Sequence, residues 1–467
     1  MCESRNAMGR TMGLFAVVTL QFVMLWGSRA IASTVTLKPG ENVAAAVANA
    51  PAGSTFVFTP GTYRMQSIIP KDNDIFVGQS STGVILNGAK VLTMEPNGKY
   101  WTKIEPLNPT VYVANHCNPG HARCYILNDL FIDGKLQRPV SSLSSLAAGH
   151  WYYNLTTGTI YISTNPAGHV VEWAYTTYAF RGAATGVQIS FLTVKNYATP
   201  PQAGAIGGPN GKAEHWYIHN VNVMHNHGAG IAIGNYSKVM YCNSSSNGQE
   251  GLAGHGAYIT IEHNTFAYNN QASYMNFWEA GGAKVTDTSH LLLGYNYVHD
   301  NLGTGLWEDM YNTDSVVENN TSINNLVGIA EEFASNLTLR NNVVRGNRKM
   351  GILISLSRYA EVYGNTAEVP VNGIDAIRVA EGQRDGMNTH DVHVHDNIMI
   401  FDGTKSGRTG LSGNLDTATN VTFNNDKYYK KNGGYYHWLW GGSTWISFTA
   451  MQKAGQELTG TVSTGAP

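Results

Sequence analysis

An asparagine recurs along the middle of this 467-residue chain at nearly constant intervals. Successive members lie 24, 23, 21, 32, 24, 22, 23 and 32 residues apart, and they are Asn196, Asn220, Asn243, Asn264, Asn296, Asn320, Asn342, Asn365 and Asn397. Such periods are typical of solenoids, in which each coil buries its apolar face against its neighbours. Asparagine suits the turns because it tolerates a left-handed conformation and stacked copies can bond to one another. We therefore predict an all-β solenoid, with the 32-residue steps containing insertions over 270–290 and 370–390.

The composition supports an all-β chain and excludes some classes of partner. Glycine is abundant, with 51 residues, as expected for many tight turns. Charged residues make up 13% of the chain and the net charge is −2. Because there is no general basic field, we expect neither nucleic-acid nor membrane-surface binding.

Residues 1–32 have the pattern of a secretory signal peptide. Arg5 and Arg10 precede an apolar run from Met12 to Trp26, and Ala30-Ile31-Ala32 supplies a small-x-small cleavage pattern. The alternative is an uncleaved anchor, but the run is shorter than the roughly 20 residues that span a membrane. We therefore expect a secreted or periplasmic protein with no membrane contact after cleavage.

The mature chain divides into a solenoid over 33–430 and a C-terminal capping tail over 431–467. An alanine-rich segment from Glu41 to Ala50 is predicted to be a short helix that caps the first coil and covers its open strand edges. Residues of about 90–175 interrupt the repeat with many aromatic residues and prolines. We interpret this region as a small β insertion that contacts the solenoid.

Cys117 and Cys124 lie close together in a loop, and the exported context favours a disulfide between them. The alternative is a zinc site, because His116 and His121 are adjacent and Cys₂His₂ is a common zinc ligand set. Cys242 is left over and is predicted to be a buried free thiol.

Two pairs of carboxylates are separated by the repeat length. Asp309 and Glu332 are 23 residues apart, as are Glu308 and Glu331. Residues one coil apart lie on neighbouring strands, which places their side chains about 5 Å from each other. Stacked carboxylates repel each other and raise one pKa, so Asp309 and Glu332 are a candidate acid/base pair. The alternative is that both are solvated surface acids.

Alternation along a strand sends Glu308 and Glu331 to the opposite face from Asp309 and Glu332. Inside the coil they would be costly unpaired charges. We expect that a bend brings one or both to the cleft, and they remain a second candidate pair.

Aligning the coils on their glycines gives one outward column, occupied by Gly234, His255, Asp309, Glu332 and Ser355. The long coil before Asp309 is expected to place Trp278 or Glu279 near this column. The cations nearest to it are Lys284 and Arg378, either of which could bind an acidic sugar; Lys284 could instead pair with Glu279.

Aromatic rings beside the column could stack on the C–H faces of sugars. Trp278, Tyr311 and Tyr274 are the candidates, although each could equally be packing. Strict pleating is expected to send Trp307 away from Asp309 and into the core, and a sugar contact is the alternative.

Three stretches carry a resemblance to a known family: Leu130–Lys135 with the Trp151-Tyr152-Tyr153 hairpin, Glu279–Lys284, and Gly305–Asp309 with Glu332 one coil later. The chain resembles the right-handed parallel β-helix (pectate-lyase-like) superfamily, and within it the β-helix glycoside hydrolases of the β-xylosidase and α-fucosidase type. The resemblance implies a right-handed parallel β-helix, a carbohydrate substrate and no cofactor. It implies Asp309 as the nucleophile and Glu332 as the acid/base of a retaining mechanism.

Two other functions remain open. A polysaccharide lyase or epimerase on uronic acids would use Lys284 or Arg378 as base, with Ca²⁺ held by the clustered carboxylates Glu279, Glu308, Asp309, Glu331 and Glu332. A non-catalytic carbohydrate-binding protein would need neither. We favour the hydrolase because paired acids outnumber basic residues in the column.

Overall fold

The computed structural model describes residues 31–103, 110–111, 116–369, 375–402, 407–431, 436–442 and 445–467. Residues 32–467 form one compact unit. Nearly all of the predicted signal peptide over 1–32 lies outside the described residues. Within the described part of the chain, no helix is long and apolar enough to cross a membrane.

The chain winds into a parallel β-helix, as the repeat predicts. Each complete coil contributes one strand to each of three parallel stacks. The first stack contains the strands Phe180–Arg181, Ala203–Pro209, Ala229–Ile233, Glu250–Ala257, Gly281–Ser289, Thr304–Asp309, Val327–Glu332, Met350–Ser355, Asp375–Ala380, Gly407–Ser412 and Tyr436–Leu439.

The second and third stacks form the other walls of the coil. The second contains Thr34–Leu37, Thr55–Phe58, Ile75–Gly78, Gln188–Ser190, Tyr217–His219, Lys238–Met240, Thr260–Glu262, Leu292–Gly294, Val316–Glu318, Ala334–Arg340, Arg358–Tyr363, His390–His395 and Thr419–Asn424, with Asn312–Thr313 beside it. The third contains Gly61–Arg64, Val84–Asn87, Thr193–Lys195, Asn222–Met224, Asn243–Ser245, Thr265–Ala267, Tyr297–His299, Thr321–Ile323, Val343–Arg345, Thr366–Val369, Ile398–Asp402, Lys427–Lys431 and Thr461–Thr464.

The interior of the coil is filled by aliphatic columns that follow the strand register. One column in the first stack consists of six buried residues paired from coil to coil: Leu252, Ala283, Leu306, Ile329, Ile352 and Ile377. Burying such side chains contributes about 25 cal/mol per Å² of apolar surface, so each added coil extends one continuous core.

A buried asparagine ladder runs along the turn between the second and third stacks. Its side chains bond to each other at 3.0 Å per step, through Asn264, Asn296, Asn320, Asn342, Asn365 and Asn397 to Asp426. The predicted role of the repeated asparagine is correct for these coils. In the preceding coils the prediction was wrong by one position, because Cys242 donates its backbone N–H to Asn264 and so occupies the place expected for Asn243.

A second ladder follows the third stack and was not predicted. It runs through Asn226, Asn247, Asn269, Asn301, Asn325 and Asn347, all buried. Asn196 lies next to this second ladder instead of in the first, since the adjacent Tyr197 donates its N–H to Asn226. The sequence therefore contains two asparagine ladders of nearly the same period, and the predicted series that starts at Asn196 combined members of both.

Helices occur only at the edges of the described structure. The capping helix spans Val43–Asn49, inside the predicted range, and buries Val43 and Val47 against the first coils. Its N-cap is Asn42, whose side chain accepts from the N–H of Ala45 and satisfies a helix-end donor. At the other end, the helix Phe448–Lys453 buries Met451 in the core, and Trp445–Ile446 pairs antiparallel with Tyr436–Leu439.

The predicted insertion is a separate eight-stranded sheet. In sheet order its strands are Ala89–Val91, Val171–Ala174, Leu130–Ile132, Lys135–Val140, His150–Asn154, Thr159–Ile162, Tyr100–Lys103 and Met94–Asn97; two 3₁₀ turns span Ala122–Tyr125 and Leu143–Ser145. Its own core includes Trp151 and Trp173, whose rings meet edge to face at 5.2 Å. A buried ion pair joins Arg123 to Asp129, which also contacts His227 of the coil at 3.2 Å. This network fixes the insertion to the β-helix.

The two loop cysteines form a disulfide, with 5.8 Å between the Cα atoms of Cys117 and Cys124. Both sulfurs are therefore committed, and the alternative zinc site does not form. Cys242 is free and buried, and burial raises the pKa of its thiol to about 12.

Candidate functional site

Three successive strands of the first stack position the candidate acids. The register pairs Thr286 with Asp309, Glu308 with Glu331, and Glu332 with Ser355. Asp309 and Glu332 therefore follow one another on adjacent coils and face outward, as the 23-residue spacing indicates. Thr286, and not Trp278 or Glu279, occupies this column in the long coil. The reason is that the extra residues lie before Gly281, so they leave the register of the strand itself unchanged.

The two acids lie in an open cleft of about 500 Å³. The insertion over 270–290 supplies Asn276 and Phe277 to one wall, and the insertion over 370–390 supplies Arg384. The remaining lining residues come from the coils: Thr304, Trp307, Asp309, Leu326, Val327, Ala330, Glu332, Phe333, Lys349, Leu353 and Leu356. Residues from both insertions thus line the cleft around the acids.

Asp309 is ion-paired with Lys284 at 2.9 Å. The Lys284 ammonium group also lies 3.4 Å from Glu279, donates to the carbonyl oxygen of Trp278 at 2.7 Å, and lies 3.8 Å from the centre of the Trp307 ring. Burial lowers the pKa of Lys284, but Glu279 and Asp309 outweigh it, so the net shift is upward. Lys284 is therefore a cation held between Glu279 and Asp309 at the cleft.

Glu332 lies in a different environment one coil later. Burial, together with the neighbouring charge of Asp309, raises the pKa of Glu332 above its usual range. Lys284 and Arg384 oppose the shift without cancelling it. The cleft thus contains one acid that is ion-paired with a cation and one acid whose pKa is raised by burial.

The residues behind Lys284 extend this charged network away from the cleft. Gln202 donates to Glu279 at 3.3 Å, and burial raises the pKa of Glu279. Glu250 is fully buried; burial, helped by Glu279, raises its pKa well above the ordinary value. Neither Gln202 nor Glu250 was singled out in the sequence, since both lie one or more coils before the acid column.

Glu308 and Glu331 are not part of the cleft, so the expectation that a bend brings them there is wrong. They lie inside the coil, in a column with Val285 and Ile354, and are fully buried. Their four carboxyl oxygens have no hydrogen-bond partner among the described residues. Burial raises the pKa of Glu308 to about 7 and that of Glu331 well above its usual value. The strand stays regular here, so its alternation decides the outcome.

The aromatic candidates separate into three kinds. Trp307 faces outward on the same side as Asp309, because residues two apart on a strand share a face. Its predicted inward orientation was therefore wrong. The side chain is 6% exposed and forms part of the cleft floor. Tyr274 is fully buried against the disulfide, so it is not a sugar platform. Tyr311 is exposed and its ring meets that of Phe333 at 5.6 Å, beside the cleft.

Trp278 supports the site instead of lining it. Its ring stacks on His116 at 4.0 Å and packs against the cluster that contains the disulfide. Its carbonyl oxygen holds Lys284, as described above. The disulfide loop of the insertion thereby fixes the segment that carries both Trp278 and Glu279.

The other predicted contacts do not line the cleft. His255 is two coils before Asp309 and half exposed, with Asp287 3.6 Å away. Arg378 is ion-paired with Asp375 at 3.1 Å, donates to Ser412 at 2.7 Å and does not line the cleft. Ser355 pairs directly with Glu332 on the next strand but is also outside the lining.

Among the cleft residues that were not predicted from the sequence are Phe277, Phe333, Lys349 and Arg384. Phe277 and Arg384 lie in the two insertions, whose position was the available signal. Phe333 and Lys349 had no such signal, since each is one of many similar residues at a turn.

A family profile described as a right handed beta helix region matches residues 208–367, which contain the strands that carry Asp309 and Glu332. The fold is a right-handed parallel β-helix. This β-helix is similar to XylC, solved in complex with xylose, with 14% identity over 91% of this chain and 79% of that chain and a TM-score of 0.56.

The β-helix is also similar to the A-module of the mannuronan C-5 epimerase AlgE6 from Azotobacter vinelandii, with 13% identity over 91% of this chain and 93% of that chain and a TM-score of 0.47. At these identities the likeness shows the fold alone. No curated protein matches the chain in sequence.

Proposed function

We propose that the protein is a glycoside hydrolase with Asp309 as nucleophile and Glu332 as acid/base. The observation that carries the proposal is that two acids on adjacent coils of one cleft have different environments. Lys284 is ion-paired with Asp309, while burial raises the pKa of Glu332. Two titratable groups whose environments separate their protonation states are the usual basis of an acid/base assignment. The β-helix of XylC, solved with xylose, adds support for a sugar substrate.

The geometry favours retention of configuration. Side chains that follow one another on neighbouring strands are about 5 Å apart, which matches the carboxyl separation of retaining glycosidases and leaves no room for the water of an inverting one. Asp309 would attack the anomeric carbon while Glu332 gives its proton to the departing oxygen. Glu332, then ionised, would take a proton from the water that releases the sugar from Asp309.

The lyase or epimerase alternative has less support from the cleft. Lys284 is held by Glu279 and Asp309, and its raised pKa makes it a poor base. Arg378 is paired outside the cleft. The expected Ca²⁺ cluster does not assemble, because Glu308 and Glu331 face the coil interior while Glu279, Asp309 and Glu332 face outward. Among the described residues, no group of three or more acidic, His or Cys side chains is placed to hold a metal ion.

A screen of aryl glycosides and polysaccharides tests the proposal, with the products analysed in two ways. A hydrolase gives new reducing ends, a lyase gives an ultraviolet-absorbing double bond, and a non-catalytic binder gives neither. Proton NMR of the first-formed sugar should show the anomeric configuration of the substrate. Inversion would contradict the assignment of Asp309 as nucleophile.

Variants of the two acids then locate the reaction. Asp309→Asn and Glu332→Gln should each abolish turnover while keeping the circular dichroism spectrum. The matched control is Asp287→Asn, on the neighbouring strand of the same stack but half exposed and outside the cleft. Wild-type turnover in either cleft variant would refute the assignment.

A further inference from the structure

The two halves of the cleft differ in chemistry. On the side of Asp309, Lys284, Glu279 and the carbonyl oxygen of Trp278 form a polar network. On the side of Glu332 the wall of the cleft is apolar and is lined by Ala330, Leu353, Leu356 and Phe333. Trp307, Val327 and Ala330 form one apolar cluster there, with Leu353 packed against it.

A cation is placed over this apolar half. Arg384 lies 4.8 Å from the centre of the Phe333 ring and approaches Met310 at 4.0 Å. Its ion pair with Asp385, at 3.2 Å, is more than half exposed on both sides, so the pair is weak. Lys349, also exposed, lines the same cleft.

The hairpin that carries Arg384 is anchored to the coil. Gln383 pairs with Asn388 and Arg384 with Met387 across a turn in which Asp385 and Gly386 both have positive φ. Thr389, at its base, is buried, donates to the carbonyl oxygen of Ala380 and accepts from the N–H of Leu356. The guanidinium group is therefore held over the cleft by a defined element.

The position of the general acid determines which part of a bound substrate lies next to Arg384. A general acid must lie within hydrogen-bonding distance of the oxygen that departs. If Glu332 is that acid, the leaving group lies in its half of the cleft, against Leu353 and Leu356 and below Arg384. A sugar ring has apolar C–H faces that suit such a wall, and a guanidinium group binds a carboxylate through two parallel hydrogen bonds.

We infer that the leaving-group half of the cleft accepts a sugar that carries a carboxylate, a uronic acid residue bound by Arg384 with help from Lys349. The inference rests on the proposed function. The reaction remains simple hydrolysis: the bond between the anomeric carbon and the departing oxygen breaks, that oxygen receives the Glu332 proton, and water supplies the new hydroxyl. No further reactant is needed.

Binding of matched acid and ester probes tests the inference without requiring turnover. The probes are sodium D-glucuronate and D-galacturonate and their neutral methyl esters, titrated into the intact protein and followed by saturation-transfer NMR. Each acid should bind about fivefold more tightly than its ester at low ionic strength, and the difference should shrink in salt because the contact is exposed. Equal binding of acid and ester would overturn the inference.

Two arginine variants locate the effect. Arg384→Gln should bring the acid and ester to within about twofold of each other. Arg345→Gln is the matched control, since Arg345 is 55% exposed and ion-paired with Glu368 at 3.1 Å, against 56% and 3.2 Å for Arg384, but lies outside the cleft. An acid preference that survives in Arg384→Gln, or that disappears in the control, would overturn the assignment to Arg384.

The two proposals fail in different ways. Preference for the acid without release of reducing ends from any glycoside would refute the hydrolase and leave the uronate site. Hydrolysis of neutral glycosides with no preference for the acid would refute the uronate site and leave the hydrolase. A new ultraviolet-absorbing double bond would overturn both, because the uronate would then be the reacting residue.

Discussion

Glu308 and Asp309 are neighbours in the chain, as are Glu331 and Glu332, yet the two pairs of stacked acids face opposite sides of one wall. The outward pair has Lys284 beside it and opens to a cleft. The inward pair lies among aliphatic side chains; the Ser315 hydroxyl near Glu308 lowers the pKa of that acid, but burial outweighs it and the net shift is upward. Neighbouring residues on a strand face opposite sides, so the outward acids can reach a substrate while the inward acids affect mainly the stability of the fold.

The largest expected difference between the pairs is in turnover. Glu332→Gln removes the proposed proton donor and should lower kcat by about 10²–10⁴-fold, the range for a general acid/base. Glu331→Gln changes the neighbouring residue but touches no substrate, so kcat should stay within about threefold of the wild type. Steady-state kinetics on one aryl glycoside measure both. Equal losses in the two variants would remove the functional distinction between the pairs.

The inward pair should make stability depend on pH. The pKa of Glu308 is about 7 in the folded protein against an ordinary 4.5, so the folded state binds more protons than the unfolded state between these values. The stabilisation is complete below about pH 4.5 and is lost as the pH rises toward 7, by about 3 kcal/mol for this one group.

Denaturant unfolding between pH 4.5 and 8, with the disulfide intact, measures this dependence. In the double variant Glu308→Gln and Glu331→Gln, neither group titrates, so the slope over this window should be markedly smaller. An unchanged slope would show that other groups govern it.

Replacing one inward acid by an apolar side chain should stabilise the fold at neutral pH. Glu331→Met keeps a similar volume and removes a buried carboxyl group that lacks partners, a change that can add about 1–4 kcal/mol. The midpoint of thermal unfolding should rise at pH 7 and change less at pH 4.5, where the carboxyl group is protonated in the folded state and only partly ionised in the unfolded state. A lower midpoint at both values would contradict this account of the pair.

The counterion of the outward pair has a smaller expected effect on turnover. Lys284→Met leaves Asp309 and Glu279 close together without the cation between them, and kcat/KM should fall about tenfold. The circular dichroism spectrum should stay that of the wild type, so that the loss reflects the site and not the fold. An unchanged kcat/KM would mean that Lys284 does not act on Asp309.

The last comparison concerns a buried polar residue that does have partners. The Asn320 side chain donates to the Asn342 side chain in the ladder and to the carbonyl oxygen of Leu293 on the strand Leu292–Gly294. Asn320→Ala should cost about 1–3 kcal/mol of unfolding free energy, because it leaves buried neighbours unsatisfied. Its sign is opposite to that of Glu331→Met, and chemical denaturation of the two variants side by side checks the contrast.

Much of the architecture was accessible from the sequence because repetition carries it. The interval between ladder asparagines predicted the coil, and the two longer steps predicted insertions beside the acids. The errors concern single positions. Asn243 was placed one residue away from the ladder position, which Cys242 occupies, and Asn196 was assigned to the wrong ladder because two ladders share one period.

The sequence by itself determined that Asp309 and Glu332 lie on adjacent coils, because a repeat of 23 residues closes one turn of the solenoid whatever the details of its walls. Only the tertiary structure decided what surrounds them. The contacts of Lys284 with Asp309, of Trp278 with the disulfide loop and of Arg384 with Phe333 join segments from different insertions. Such contacts depend on how irregular loops fold back over a regular core, and no local period encodes that path.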